Sequence, residues 1–322
     1  MKVTVIRAFP LALEICGLEL AATNGEALPD FDAGAHIDVH IAPNLVRQYS
    51  LCNPHEKSGR YLIGVLRDPA SRGGSHALHA LRAGDEIDIS APRNHFPLAK
   101  GARHSILIAG GIGVTPILAM AEQLAQEGAS FELHYGTRTA EHMAFLDHLD
   151  APHLKTPSRL YHDTADGTRP NLAASLATIL AAPHPQDHVY VCGPAGLIDA
   201  VMQCAQTAGW AGANVHREYF AAPVTAATTD DQGDAPFQIE LARSGQRIDV
   251  AREQTIVDAL ATAGIEIATS CGEGVCGTCL TRVLGGEPAH RDAYLTPEEQ
   301  AANDQILPCC SRSRSPVLIL DL

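Results

Sequence analysis

Polar and apolar residues alternate along the first hundred positions, and Gly, Pro or Asn breaks the alternation every few residues. The segments VTVIRAF (3–9), HIDVHIA (36–42), YSLCN (49–53), RYLIGVLRD (60–68) and DEIDISAP (85–92) carry the pattern. A period of two places one row of side chains in a core and the other in water. Short strands of this kind with frequent turns predict an antiparallel β-barrel. The opening stretch, MKVTVIRAFPLALEICGLEL, reads as alternating strand.

Near residue 103 the pattern changes. SILIAG (105–110) is a continuous apolar run, followed by GGIGVTP and a helical stretch, PILAMAEQLAQEG (116–128). Three further strand patterns follow, FELHYGT (131–137), RLYHD (159–163) and HVYVCGP (188–194), with helices between them. Apolar strands alternating with helices predict a parallel sheet covered on both faces, an α/β domain. Residues 222–236 are small, polar and acidic, with no period, and read as a linker. Beyond them FQIELARSGQRIDVA predicts a hairpin, TIVDALATAG a short helix and PVLILDL a closing strand. The expected organisation is therefore 1–100, a barrel; 101–221, an α/β domain; 222–236, a linker; and 237–322, a smaller third domain.

Composition narrows the functional classes. The chain of 322 residues has 46% hydrophobic and 19% charged residues, ordinary for globular domains. Its formal charge of −14 argues against nucleic acid or an anionic membrane as partner. Residues 237–322 carry twelve acidic and seven basic side chains, which suits a basic docking patch on a partner protein. No apolar run approaches the roughly 20 residues that span a bilayer, and the start lacks a signal-peptide pattern. A cytoplasmic monomer is expected. In a reducing compartment clustered cysteines hold metal more often than they form disulfides.

Five of the nine cysteines lie between positions 271 and 310. Cys271, Cys276 and Cys279 have the spacing C-x4-C-x2-C, and Cys309 follows after 29 intervening residues. That is the spacing of a plant-type [2Fe–2S] cluster, in which each iron takes two thiolates. Gly272, Gly274 and Gly277 let backbone N–H groups approach the sulfurs. A zinc knuckle fits the spacing poorly. Cys310 is an alternative fourth ligand on spacing alone. Upstream, Gly110, Gly111 and Gly113 form a strand-to-helix turn suited to a pyrophosphate, with Pro116 in the first helical turn. Cys192-Gly193-Pro194 ends another strand, so both motifs point to one crevice at the carboxyl ends of the sheet. A glycine-rich turn without a ligand is the plain alternative for the first. In the barrel region, Arg47-Gln48-Tyr49-Ser50-Leu51 and Arg72-Gly73-Gly74-Ser75 offer a guanidinium, an aromatic ring and phosphate-binding N–H groups.

Taken in order, R-x-Y-S-L, R-G-G-S, G-G-I-G-V-T-P, C-G-P and the cysteine pattern resemble the phthalate dioxygenase reductase family over essentially the whole chain. The resemblance implies FMN in the barrel, NADH in the second domain and a plant-type ferredoxin (β-grasp, α+β) in the third. It places Arg47, Tyr49, Ser50 and the segment Gly64, Val65, Leu66 and Arg67 around the flavin, with Arg72, Gly73, Gly74 and Ser75 on its phosphate. It sets Thr115 near the flavin and nicotinamide, Cys192 with Gly193 and Pro194 by the nicotinamide, and Phe220 near the isoalloxazine. The family motif C-x-S-R matches Cys309-Cys310-Ser311-Arg312 and makes Cys309 the ligand.

An Arg at position 138 follows the second strand of the α/β domain, where ribose recognition occurs, and would admit NADPH; the resemblance favours NADH. Asp166 has no assigned role, and His36 and His40 are expected in packing or on the surface. The implied activity is an NADH-dependent oxidoreductase delivering electrons to a terminal Rieske-type oxygenase. A broad-acceptor diaphorase or ferric reductase, and a redox sensor or carrier without turnover, are the competing readings.

Overall fold

The computed structural model describes residues 1–42, 45–53, 59–69, 71, 73–155, 157–162, 171–221 and 235–322. It divides into two compact units, Met1–Glu218 and Tyr219–Leu322. Among the described residues no helix is long and apolar enough to cross a membrane.

The first unit opens with β1 (Lys2–Ala12), β2 (Ile15–Ala22), β3 (Ala35–Ala42), β4 (Leu45–Ser50), β5 (Arg60–Leu66), helix α1 (Gly74–Ala80), β6 (Glu86–Ile89) and β7 (Arg93–Asn94). The strands pair antiparallel in the order β4-β3-β6-β1-β2-β5, with β7 on β3. A bridge between Leu51 and Ile63 joins the two ends into a barrel. Its core is the inward row of the alternation: Val3, Val5, Leu18, Leu20, Ile37 and Val39 are shut from solvent. The opening stretch makes two strands rather than one. The reversal falls at Leu13–Glu14, where Glu14 takes a φ of 61°. No Gly or Pro marks it, and the Leu13 N–H is held from outside by the Glu141 carbonyl at 2.8 Å. His36 is buried with its Nε2 3.1 Å from Gln48 Nε2, and His40 is exposed, so both sit in packing or surface roles.

The same unit continues with a five-stranded parallel sheet of β8 (His104–Gly110), β9 (Phe131–Thr137), β10 (Ser158–His162), β11 (Asp187–Cys192) and β12 (Val215–Glu218), in the order β10-β9-β8-β11-β12. Helices α2 (Val114–Gln126), α3 (Leu146–Leu149), α4 (Pro152–Lys155), α5 (Leu172–Ile179) and α6 (Ala195–Ala208) connect them. The chain steps outward from β8 to β10, then crosses to the other side of β8 for β11 and β12, so the switch point lies between β8 and β11. Every residue from Val114 to Glu122 in α2 is buried. The reason is that α2 packs in a cluster that includes Ile15, Cys52, Leu62 and Phe96 of the barrel as well as Leu107, Leu133 and Tyr190 of the sheet. The barrel and the parallel sheet therefore share one core. Phe96 meets the Tyr190 ring edge-on at 6.0 Å, and the Tyr190 hydroxyl accepts a hydrogen bond from the Ala99 N–H at 2.7 Å.

Glycine decides how closely the switch-point loops approach. A Cβ on Gly113 would lie 2.3 Å from the Cys192 carbonyl oxygen, and one on Gly193 would lie 2.9 Å from the Gly110 Cα. A Cβ on Gly110 would lie 2.6 Å from Leu197 Cδ2. The two loops thus cross backbone against backbone.

The second unit holds β13 (Phe237–Leu241), β14 (Arg247–Val250), α7 (Ile256–Thr262), β15 (Thr281–Gly285), β16 (Pro288–Ala289), α8 (Pro297–Ala302), β17 (Gln305–Ile306), β18 (Arg312–Ser313) and β19 (Val317–Leu320). Its mixed sheet runs β14-β13-β19-β15-β17, with β13 and β19 parallel. Ile239, Leu241, Val250, Leu318 and Leu320 pack against Ile256 and Leu260 of α7. Thr255 caps α7 by accepting the Asp258 N–H at 3.0 Å. Helix α8 is absent from the sequence-based expectation, although Thr296 and Glu299 form a capping box and Pro297 stands at the helix start.

Gly113→Ala is expected to cost about 1–3 kcal/mol by overpacking against Cys192. Gly196→Ala, where nothing lies within 4 Å, is the control. Thermal unfolding of both variants checks this; equal midpoints would refute the crossing as a close contact.

Candidate functional site

The switch-point crossing brings GGIGVTP and CGP together, as the sequence patterns anticipate. Gly111 has a φ of 53° and nothing within 4 Å of its Cβ position, so this part of the turn is open. Thr115 is 2% exposed and donates its hydroxyl to the Ile112 carbonyl at 3.0 Å. Pro194 caps α6, which carries the chain away from Cys192 and Gly193. Cys192 is fully buried, and burial, followed by the nearby Glu218 charge, pushes its thiol well above the ordinary range. It is a neutral packing group there, not a nucleophile.

Glu218 is the residue that the motifs miss. It ends β12 and pairs in register with Cys192. Its Oε2 is closed to solvent and has no hydrogen-bond partner among the described residues. Burial pushes its carboxyl up to about 8. A carboxylate in that place has no motif around it; the only hint in the sequence is a Glu at the end of the last parallel strand.

The barrel supplies the facing wall. A Cβ on Gly64 would lie 2.9 Å from Thr115 Cγ2 and 3.2 Å from the Phe145 ring, so β5 sits directly on the start of α2. The alternation along β5 turns Val65 into the barrel core, leaving only its backbone for any ligand; Leu66 is half-buried and Arg67 exposed. Arg47 lies against Gly74, whose Cβ would fall 2.9 Å from Arg47 Cγ and 3.4 Å from its Nε. Gly73 turns the chain with a φ of 103°, and Ser71 Oγ accepts the N–H groups of Gly73 and Ser75 at 3.2 and 3.3 Å. Ser75 Oγ accepts the Asp68 N–H at 3.1 Å. Burial pushes the Tyr49 phenol up to about 12, and Ser50 is buried. The space beside Gly64 is taken by Thr115 and Phe145 and that beside Gly74 by Arg47 and Ile41, so the two glycines let these side chains pack closely on β5 and on the start of α1. Arg138 is exposed at the end of β9. Phe220 is 42% exposed and belongs to the second unit. Arg72 and Asp166 lie outside the described residues, as does most of the expected linker.

In the second unit Gly272, Gly274 and Gly277 all take positive φ, of 70°, 73° and 69°, and wind the cysteine loop tightly. The Glu273 N–H points at Cys271 Sγ, 3.3 Å away. Cys276 is hydrogen-bonded to the Cys271 sulfur, and that contact, more than burial, pushes its thiol up. Two adjacent thiols resist ionising together; a cation between them removes the penalty. Cys279 and Cys309 share a small buried cluster with Leu295 and Leu307. Among the described residues no three of His, Cys, Asp or Glu enclose one metal ion. The Cys310 sulfur also reaches this loop, lying against Gly274 and hydrogen-bonded to Cys309.

Two family models match the chain: an oxidoreductase NAD-binding domain over residues 107–203 and a 2Fe–2S iron–sulfur cluster binding domain over residues 239–314. The vanillate O-demethylase oxidoreductase of Pseudomonas putida is 52% identical over 313 residues, 97% of this chain and 96% of that one. The phthalate dioxygenase reductase of Burkholderia cepacia is 39% identical over 314 residues, 97% of this chain and 94% of that one. A solved phthalate dioxygenase reductase, described as a modular structure for electron transfer from pyridine nucleotides to [2Fe–2S], superposes with a TM-score of 0.73 at 37% identity, covering 100% of this chain and 98% of its own. With its glycine crossing at the switch point, its cysteine loop and these full-length likenesses, the chain belongs to the phthalate dioxygenase reductase family.

Proposed function

We propose that this protein is the NADH-dependent reductase of a Rieske-type oxygenase or O-demethylase system. It takes electrons from NADH and passes them through FMN and a [2Fe–2S] cluster to the terminal oxygenase. The observation that carries this reading is the seat of Gly64 on Thr115, which puts the proposed flavin strand against the proposed nucleotide turn. Hydride transfer needs its two reacting atoms within about 3.5 Å, so the strand and the turn that hold the two cofactors must lie against each other. Bound FMN supplies a hydride acceptor that releases its electrons singly, and the bound cluster supplies a one-electron relay.

The chain's own residues position and insulate. Arg47, Tyr49, Ser50, Arg72, Gly73, Gly74 and Ser75 hold the FMN, together with the strand Gly64–Arg67. Gly110, Gly111, Gly113, Gly193, Pro194 and Arg138 hold the nucleotide. Thr115 and Cys192 set the nicotinamide, and Phe220 covers the ring. Cys271, Cys276, Cys279 and Cys309 bind the cluster. We place the protein in the cytoplasm, where a reducing environment keeps clustered cysteines from forming disulfides, and as a monomer. Its division into domains follows 1–100, 101–221, a linker at 222–236, and 237–322.

The test is direct. Purified protein should show flavin absorbance over a broad cluster band, release FMN on denaturation, and bleach with NADH under anaerobic conditions. A cluster spectrum with no flavin and no response to NADH, even after reconstitution, would leave a carrier or sensor in its place.

Glu218 adds a pH prediction. Its folded value of about 8 stands above the ordinary 4.5, so the folded state holds this proton more tightly than the unfolded one. Stability from this group is complete below the ordinary value and is lost as pH rises through about 8. Thermal midpoints should therefore fall over that range and fall less in Glu218→Gln. Parallel slopes for the two proteins would show that Glu218 does not titrate as stated.

A further inference from the structure

Cys309 reaches the cysteine loop from a separate segment, and a short stretch of buried hydrogen bonds determines where that segment lies. The turn is closed by the Cys310 and Ser311 N–H groups, which donate to the Leu307 carbonyl at 3.2 and 3.0 Å. Ser311 is 1% exposed. Its hydroxyl donates to Asp292 Oδ1 at 3.2 Å and accepts the Arg291 N–H at 3.1 Å. The Asp292 side chain has no exposed surface, and its Oδ2 accepts the Leu295 N–H at 2.9 Å.

Asp292 also sits on the cysteine loop itself. A Cβ on Gly274 would lie 3.0 Å from both the Cα and Cβ of Asp292, and the Ala293 N–H donates to the Gly274 carbonyl at 3.1 Å. Gly274 lies between Cys271 and Cys276, so this contact reaches the middle of the loop. One buried carboxylate thereby joins three separate stretches: the loop, residues 290–295, and the turn that carries Cys309.

We propose that Ser311 and Asp292 are positioning residues for the [2Fe–2S] centre, their hydrogen bond locking the Cys309 segment onto the loop that carries Cys271, Cys276 and Cys279. The proposal rests on the reading of those four cysteines as ligands. A buried carboxylate is a costly acceptor, and here it serves the Ser311 hydroxyl and the Leu295 N–H together, with His290 Nδ1 3.4 Å from Oδ1. Without the hydroxyl, Asp292 loses a charge-assisted bond and the Arg291 N–H loses its acceptor. The turn is then free to shift while Cys309 remains in the ligand set.

The experiment uses the full chain with its cofactors loaded. Ser311→Ala, Ser311→Thr and Asp292→Asn are compared with the wild type in iron and sulfide content, in the EPR spectrum of the dithionite-reduced cluster, and in the rate of iron release to a chelator. Ser311→Ala should still load a [2Fe–2S] cluster, but with altered g-values and release faster by on the order of tenfold, equivalent to about 1.4 kcal/mol. Ser311→Thr should restore both. Wild-type g-values and release rate in Ser311→Ala would overturn the proposal. If Ser311→Ala does not fold, Asp292→Asn takes its place, since it keeps the side-chain shape; an unchanged spectrum and release rate there would overturn it equally. Cys309→Ser is measured alongside: full wild-type cluster content and spectrum in that variant would overturn the ligand reading instead, independently of Ser311.

Discussion

Backbone can meet backbone only where side chains are missing, and the first unit is organised around one such meeting. The loop after β8 and the loop after β11 cross at Gly110, Gly113 and Gly193, with no room for a Cβ on Gly113 beside the Cys192 carbonyl. That contact brings the two loops together at the switch point, where open α/β sheets bind ligands. It also sets the start of α2, and α2 in turn packs against both the parallel sheet and the barrel. Gly64 extends the same logic to β5, whose missing side chain lets the barrel wall approach Thr115. A crevice between two sub-structures is reproducible only if the walls are held to each other, and here they are held by a common core.

Packing also decides the charge state of several groups in the first unit. Cys192, Tyr49 and Glu218 are all pushed by burial toward their neutral forms. In the cysteine loop of the second unit it is crowding between sulfurs, more than burial, that pushes the Cys276 thiol up. Its sulfurs are crowded together, and the loop's glycines turn backbone N–H groups toward them, an arrangement suited to thiolates around positive iron.

Much of this was legible before any coordinates. The period-two alternation marked the barrel, the apolar runs marked the parallel strands, and the C-x4-C-x2-C spacing marked the cluster loop, because each depends on contacts within a few residues. The Leu13–Glu14 reversal was not legible. No local turn chemistry specifies it, and the hydrogen bond to Glu141 that supports it spans more than a hundred residues. Helix α8 was legible in principle through its capping box but is too short to show a period. Val65 illustrates the limit of motif transfer: a position in a binding segment whose side chain the alternation sends into the core.

The sequence by itself determined the barrel strands, the parallel strands and the cysteine loop, the glycine and cysteine motifs that they carry, and the family to which their order belongs. These are properties of local spacing and side-chain type. Only the tertiary structure decided that the barrel and the parallel sheet share a core, that Glu218 stands beside Cys192 with an unpaired buried oxygen, and that Ser311 and Asp292 tie the Cys309 turn to its loop. Those outcomes depend on burial and on partners distant along the chain. Burial is a property of the packed molecule, which no stretch of sequence carries alone.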